Sequence, residues 1–87
     1  MKTIALTMIV KNEARSLARC LDSVAPWVDK IIVLDTGSTD DTIAIARAHG
    51  AEVYERRWTN DFAAARNAAL ARSDADWNLV LDADEWL

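Results

Sequence analysis

Glycine and proline are scarce in this chain: two glycines and one proline in 87 residues, against a hydrophobic fraction of 52%. That balance excludes a disordered or collagen-like chain and leaves a globular one. Cysteine is limited to Cys20, so no internal disulfide can form, and a reducing, cytoplasmic setting is expected. Basic residues are in the minority, ten Lys and Arg against fourteen Asp and Glu, for a formal charge of −4. They are scattered, which excludes the basic stripe of a nucleic-acid surface and the polybasic patch of a membrane surface. Long hydrophobic runs are missing as well. The apolar stretch 3–10 is too short to span a bilayer and meets Lys11, Asn12 and Glu13 at once. It lacks the length and cleavage site of a signal peptide, so no membrane segment and no export signal is expected. At this length the chain holds at most one small domain with a modest core.

What remains is a regular alternation of short apolar runs and helical patterns. Residues 3–10 (TIALTMIV), 30–35 (KIIVLD), the weaker run 51–56 (AEVYER) and Trp77-Asn78-Leu79-Val80-Leu81 read as strands. Near-continuous hydrophobicity predicts strands covered on both faces, as in a parallel sheet. Between them, residues 14–25 place Ala14, Leu17, Leu21 and Val24 at helical spacing, with Asn12 as N-cap and Pro26 as the stop. A second helix opens at the capping-box-like Ser38-Thr39-Asp40-Asp41 and ends at Gly50, just past His49. A third, 61–72, is alanine-rich, with Thr59 or Asn60 as cap. The order is βαβαβαβ, and right-handed crossovers then build a mostly parallel, Rossmann-like α/β sheet with helices on both faces.

Ligand chemistry in such a sheet gathers at the C-terminal ends of the strands. Those ends read Val10-Lys11-Asn12-Glu13, Asp35-Thr36-Gly37-Ser38-Thr39-Asp40, Trp58-Thr59-Asn60-Asp61 and Asp82-Ala83-Asp84-Glu85. Polar and acidic residues therefore converge on one edge. Ser38, Asp40 and Asp41 are accounted for by the helix start, where they complement its positive end. Asp35 ends an apolar strand without such a duty and is free to accept hydrogen bonds from a nucleobase or ribose. The loop lacks the lysine and glycines of a P-loop. In the last cluster, residues two apart in an extended segment point the same way, so Asp82 and Asp84 can converge on one oxygen-coordinated cation. Mg²⁺ or Mn²⁺ with few protein ligands leaves room for a diphosphate.

Other chemistry-bearing residues have plainer explanations. His49 reads as a helix C-terminal group, Cys20 as a small packed residue, and Trp27 and Trp77 as core or rim packing. Trp58 and Trp86 flank the acidic edge, where packing outweighs stacking. Arg56 and Arg57 read as a solvated strand end. Arg66 and Asn67 stand out in an alanine-rich helix, and Arg66 can meet a phosphate or the acidic strand ends.

Four stretches in order carry a family resemblance: Met8-Ile9-Val10-Lys11-Asn12-Glu13, Val33-Leu34-Asp35-Thr36-Gly37-Ser38-Thr39-Asp40, Ala65-Arg66-Asn67-Ala68-Ala69-Leu70 and Leu81-Asp82-Ala83-Asp84-Glu85. Together they span nearly the whole chain. The chain resembles the N-terminal, nucleotide-binding half of a family 2 glycosyltransferase of the GT-A fold, in the bacterial branch that includes peptide and cell-surface glycosyltransferases. The resemblance implies inverting transfer of a sugar from a UDP- or GDP-sugar to an acceptor: a peptide, a lipid-linked species or a cell-surface glycan. By position, Ile9, Val10, Lys11, Asn12 and Glu13 would line the nucleoside pocket, and Asp35 would bind the base or ribose. Asp82 would contact the ribose or donor sugar, Arg66 a phosphate, and Asp84 would ligate a divalent cation, Mn²⁺ or Mg²⁺. Many members have two adjacent acids where this chain has Asp35-Thr36, so base recognition rests on Asp35 alone. The family's general base is expected downstream of Leu87, which makes residues 1–87 a donor-binding half, truncated after the DxD motif and inactive by itself. Two other readings are a stand-alone nucleotide- or metal-binding module without catalysis and a phosphotransferase-like domain. The latter is disfavoured because its aspartate pair normally follows the first strand, where this chain has Val10-Lys11-Asn12-Glu13.

Overall fold

Four short strands and three helices alternate through the residues that the computed structural model describes, 2–56 and 62–81. They are β1 (Ile4–Val10), α1 (Leu17–Val24), β2 (Lys30–Asp35), α2 (Thr42–Ala48), β3 (Glu52–Glu55), α3 (Phe62–Ala71) and β4 (Trp77–Val80). All strand pairs are parallel, and the sheet order is β3-β2-β1-β4. The predicted α/β architecture is therefore the observed one. Winding runs outward from β1 to β3 and then returns to β1's other side, so the connections switch direction between β1 and β4. Ligands in open parallel sheets bind at such a switch.

Both faces of the sheet are covered, which is why β1 and β2 read as unbroken apolar runs. On one face Leu6, Met8, Val10, Ile31 and Val33 pack with Leu17, Cys20, Leu21 and Val24 of α1 and Ala46 of α2. On the other, Leu34, Ala65 and Ala69 form a second cluster, flanked by Ile9, Tyr54 and Ala68. Cys20 is a packed core residue, as expected. Trp27 and Trp77, expected in the core or its rim, are 67% and 60% exposed. Trp27 lies in a 3₁₀ turn (Ala25–Trp27) beyond α1, and Trp77 begins the outermost strand beside β1.

The helix starts differ from the sequence expectation for one shared reason. Asn12 does not cap α1; it takes a left-handed backbone conformation (φ 52°), which asparagine tolerates better than most residues. The helix begins five residues later, at Leu17, with Ser16 in the cap position and making no side-chain cap bond. Pro26 falls inside the 3₁₀ turn, where its missing N–H costs nothing. Ser38 does not cap α2 either, because that helix begins at Thr42. In both loops the polar side chains reach across to the other loop instead. The end of α2 follows the expected pattern. Gly50 adopts φ 79°, and Gly50 and Ala51 donate to the Arg47 and Ala46 carbonyls at 3.0 and 3.1 Å, the paired bonds of a Schellman motif. His49 at that end places Nδ1 2.8 Å from the Ile45 carbonyl and Nε2 3.1 Å from Asp22 of α1.

At the amino end of the sheet, the first and last strands are latched. Asp76 accepts from the Thr3 backbone N–H at 2.8 Å, and its own N–H donates to the Thr3 hydroxyl at 3.1 Å. Asp29 receives the Ile4 N–H at 2.8 Å beside it. Lys30 bridges Glu52 (3.4 Å) and Asp74 (3.3 Å) at the same end, and those two carboxylates raise its pKa, the hydrogen bond that Lys30 donates to Asp74 most strongly.

Candidate functional site at the carboxyl edge of the sheet

Register sets the geometry of the edge. Val10 pairs with Asp35, and Asp35 with Glu55, so three strands end in one row and their loops leave side by side. The Val10 carbonyl then receives both the N–H and the hydroxyl of Thr36, at 3.0 and 3.2 Å. The Asp35 carbonyl receives the Arg56 N–H at 2.8 Å.

Asp35 is the most unusual residue of the row. It is 1% exposed. Its Oδ1 accepts the backbone N–H groups of Gly37 (2.9 Å) and Ser38 (2.8 Å), closing the turn that Gly37 permits at φ 122°. The expectation that Asp35 has no local duty is therefore corrected for this oxygen. Its second oxygen, Oδ2, is buried and has no hydrogen-bond partner among the described residues. A buried acceptor left unpaired costs roughly 1–3 kcal/mol, more when charged. Such a group in a native fold calls for an explanation.

The residues predicted to line a nucleoside pocket divide by depth. Val10 is buried against α1, Ile9 packs on the α3 face, and Lys11, Asn12 and Glu13 rim the edge as exposed or half-buried groups. Asn12 is joined to the β2–α2 loop. Its N–H donates to the Ser38 hydroxyl at 2.9 Å, and its Oδ1 accepts the Thr39 N–H at 2.7 Å. Glu13 donates its N–H to the Thr42 hydroxyl at 2.8 Å. Arg66 lies on the α3 side, exposed, where it lines a small cavity of about 70 Å³ with Thr7, Met8, Ile9, Ala69, Val80 and Leu81. That cavity sits between β1 and β4, at the switch point. Asp82 and Asp84 lie outside the described residues, as do Trp58 and Trp86. Among the described residues, no group of three or more His, Cys, Asp or Glu could hold a metal.

Two residues at this edge escaped the sequence reading. Asp40 was legible only as a helix-start group, and Thr42 was not singled out. Thr42 is fully buried, and Asp40 accepts from its N–H at 2.9 Å and from its hydroxyl. The Asp40 carboxyl is held below the usual carboxylate range, chiefly by the Thr42 hydroxyl; desolvation, the next largest effect, opposes this, and the backbone N–H groups of Thr42 and Ala14 add to the lowering. The only signal in the sequence was a hydroxyl two residues after an aspartate, which any helix start can show.

Comparison with known proteins gives this edge a context. Residues 6–87 match the sequence model of Glycosyl transferase family 2. Over all 87 residues the chain is 55% identical to a TPR repeat-containing protein of Synechococcus elongatus, of which it covers 22%. It is 42% identical, again over its full length, to an uncharacterized glycosyltransferase of Rickettsia felis, of which it covers 30%. Its backbone matches glucosyl-3-phosphoglycerate synthase from Mycobacterium tuberculosis in complex with UDP. The TM-score is 0.83 at 32% identity, over 97% of this chain and 34% of that one. The same mycobacterial enzyme is known with Mn²⁺, UDP and glucosyl-3-phosphoglycerate bound, and with Mg²⁺ and UDP. The chain thus spans about a third or less of the relatives it matches. No helix among the described residues is long and apolar enough to cross a membrane. With the family pattern running from β1 to the last residue, and the parallel sheet shared with a sugar-transferring enzyme, the chain belongs to the family 2 glycosyltransferases.

Proposed function

We propose that this chain forms the donor-binding half of an inverting glycosyltransferase that moves a sugar from a UDP- or GDP-sugar to an acceptor. The observation that carries this reading is Asp35 Oδ2, a buried acceptor without a partner among the described residues, at the carboxyl end of a parallel strand. A nucleobase imino N–H or a ribose hydroxyl supplies the donor it lacks. Lys11, Asn12 and Glu13 border the same edge and would wall the nucleoside. Ile9 and Val10 would act from beneath, as the packed floor of that loop. Arg66, exposed on α3 beside the cavity between β1 and β4, would meet a phosphate.

Asp82 follows the last described residue, and we assign it to the ribose or donor sugar. Asp84 is assigned to a divalent cation. Carboxylate oxygens suit a hard ion such as Mg²⁺ or Mn²⁺, and in the sequence the acidic stretch comes directly after β4 and Leu81, so its chemistry fits the group. When bound, that cation would neutralise charge growing on the departing diphosphate. The chain's own residues bind and orient the nucleoside. Deprotonation of the acceptor is assigned to the portion of the longer relatives that lies beyond residues 1–87.

Titration calorimetry with UDP, with and without Mn²⁺, tests the reading. Wild type should bind UDP more tightly with Mn²⁺ present. Asp84→Ala should abolish that metal dependence. Asp35→Asn should weaken UDP roughly ten- to a hundredfold, the range for a hydrogen bond to a charged group. UDP binding untouched by both substitutions would sink the assignment.

A further inference from the structure

The two loops that leave β1 and β2 lose their strand pairing after the Val10–Asp35 row and the Thr36 bonds to Val10. Beyond it, their relative placement depends on side chains that reach across 26–29 residues of sequence. We infer that Asp40 and Thr42 are positioning residues, which act through the Glu13 and Ala14 backbone to hold the β1–α1 loop in the arrangement that receives the donor nucleotide. The inference rests on the donor-binding reading above and adds two residues which that reading leaves out.

Hydrogen-bond polarity makes the arrangement directional. Ionised Asp40 can only accept, so the Thr42 hydroxyl must give its proton to Asp40 Oδ1. The lone pairs of that hydroxyl are then left for the Glu13 N–H, which lies 2.8 Å away. Asp40 Oδ2 accepts the Ala14 N–H at 3.3 Å. The carboxylate thus fixes Thr42, and the pair fixes two consecutive amides of the facing loop. Neither cross-loop bond is needed to start α2, for which the Asp40 bond to the Thr42 N–H suffices. Thr42 is completely buried, and its hydroxyl is already engaged by Asp40 and by the Glu13 N–H. The segment it anchors contains Asn12 in a left-handed conformation, which a loop without cross-links would readily abandon. Binding to a preset loop avoids the ordering cost of a mobile one.

The test uses the 87-residue chain and two pairs of variants, Thr42→Val with Thr42→Ser and Asp40→Ala with Asp40→Asn. Amide hydrogen exchange at Glu13 and Ala14 reads the clamp without ligand, and calorimetry with UDP and Mn²⁺ reads its use. Thr42→Val and Asp40→Ala should each speed Glu13 exchange and weaken UDP by about tenfold, the equivalent of one hydrogen bond to a charged group. Thr42→Ser and Asp40→Asn, which keep the hydroxyl and an acceptor oxygen, should restore both. Combined with Asp35→Asn, the Asp40→Ala loss should be non-additive, whereas a merely structural role would add. Should Thr42→Val fail to fold, the exposed Asp40 pair carries the same comparison. Wild-type UDP affinity in Asp40→Ala, or unchanged Glu13 exchange, would overturn the positioning role alone. A wild-type chain that binds no UDP would overturn the donor reading, and this role with it, even where the amides respond.

Discussion

The two faces of the sheet are built from different material. The face beneath α1 and α2 is filled by Leu6, Met8, Leu17, Leu21, Val24 and Val33, interlocked around Cys20. The face beneath α3 is closed by alanines, Ala65 and Ala69, against Leu34, and it leaves a small cavity next to Arg66. Large aliphatic side chains bury the most area, so the first face supplies most of the hydrophobic stabilisation. Alanine lets a helix approach closely and brings a charged residue on it near the strand ends. One face stores stability, and the other places an arginine.

Substitutions on the two faces should therefore separate in size. Leu21→Ala, at a fully buried site in α1, is expected to cost about 2–5 kcal/mol in chemical denaturation, a large part of what a small domain possesses. Ala65→Leu should cost less, about 1–3 kcal/mol, because the strain of an overfilled contact is shared by a looser layer. Equal losses at the two sites would erase the distinction between the faces. Arg66→Ala should leave the denaturation midpoint within about 0.5 kcal/mol of wild type, the range for an exposed side chain, while UDP affinity falls. A stability loss without an affinity loss would make Arg66 structural.

The smallest expected effect belongs to the loops and is a matter of pH. The Asp40 carboxyl lies below its ordinary value of 3.8 in the folded chain, so its ionised form favours folding. That contribution is complete above the unfolded value and disappears as pH falls through the folded one. Wild type should therefore lose its advantage over Asp40→Ala only below about pH 4. Denaturation midpoints of the two proteins that stay parallel through this window would remove the carboxylate from the stability of the loop.

Elements whose signals are local were legible in the sequence. The span Lys30–Asp35 is the observed β2 to the residue, because an apolar run covered on both faces ends where the first carboxylate appears. The helix of residues 61–72 contains the observed Phe62–Ala71, since alanine-rich propensity acts residue by residue. The starts of α1 and α2 were not legible. Asn12 spends its side chain on Thr39 and Ser38 its hydroxyl on Asn12, and neither partner can be read from neighbouring residues. The same holds at the site. Asp35 was identifiable as a carboxylate at a strand end, but not the division between a turn-closing oxygen and one without a partner among the described residues. Thr42 looked like any helix start. The metal-side residues Asp82 and Asp84 lie outside the described residues, so their part of the expectation stays a proposal.

The latch between Thr3 and Asp76 has a consequence for how this domain comes into being. Its partners are 73 residues apart, and β4 pairs with no described strand except β1. The β1–β2–β3 pairs join segments nearer in sequence, so their loops close at lower entropic cost. On an emerging polypeptide, those three strands can pair while the segment destined for β4 is still inside the ribosome. Until it arrives, one side of β1 stays open, and the cleft between β1 and β4 does not exist. Among the described strands, the switch point is thus the last part of the sheet to be assembled, and contacts of such long range are the ones that slow folding.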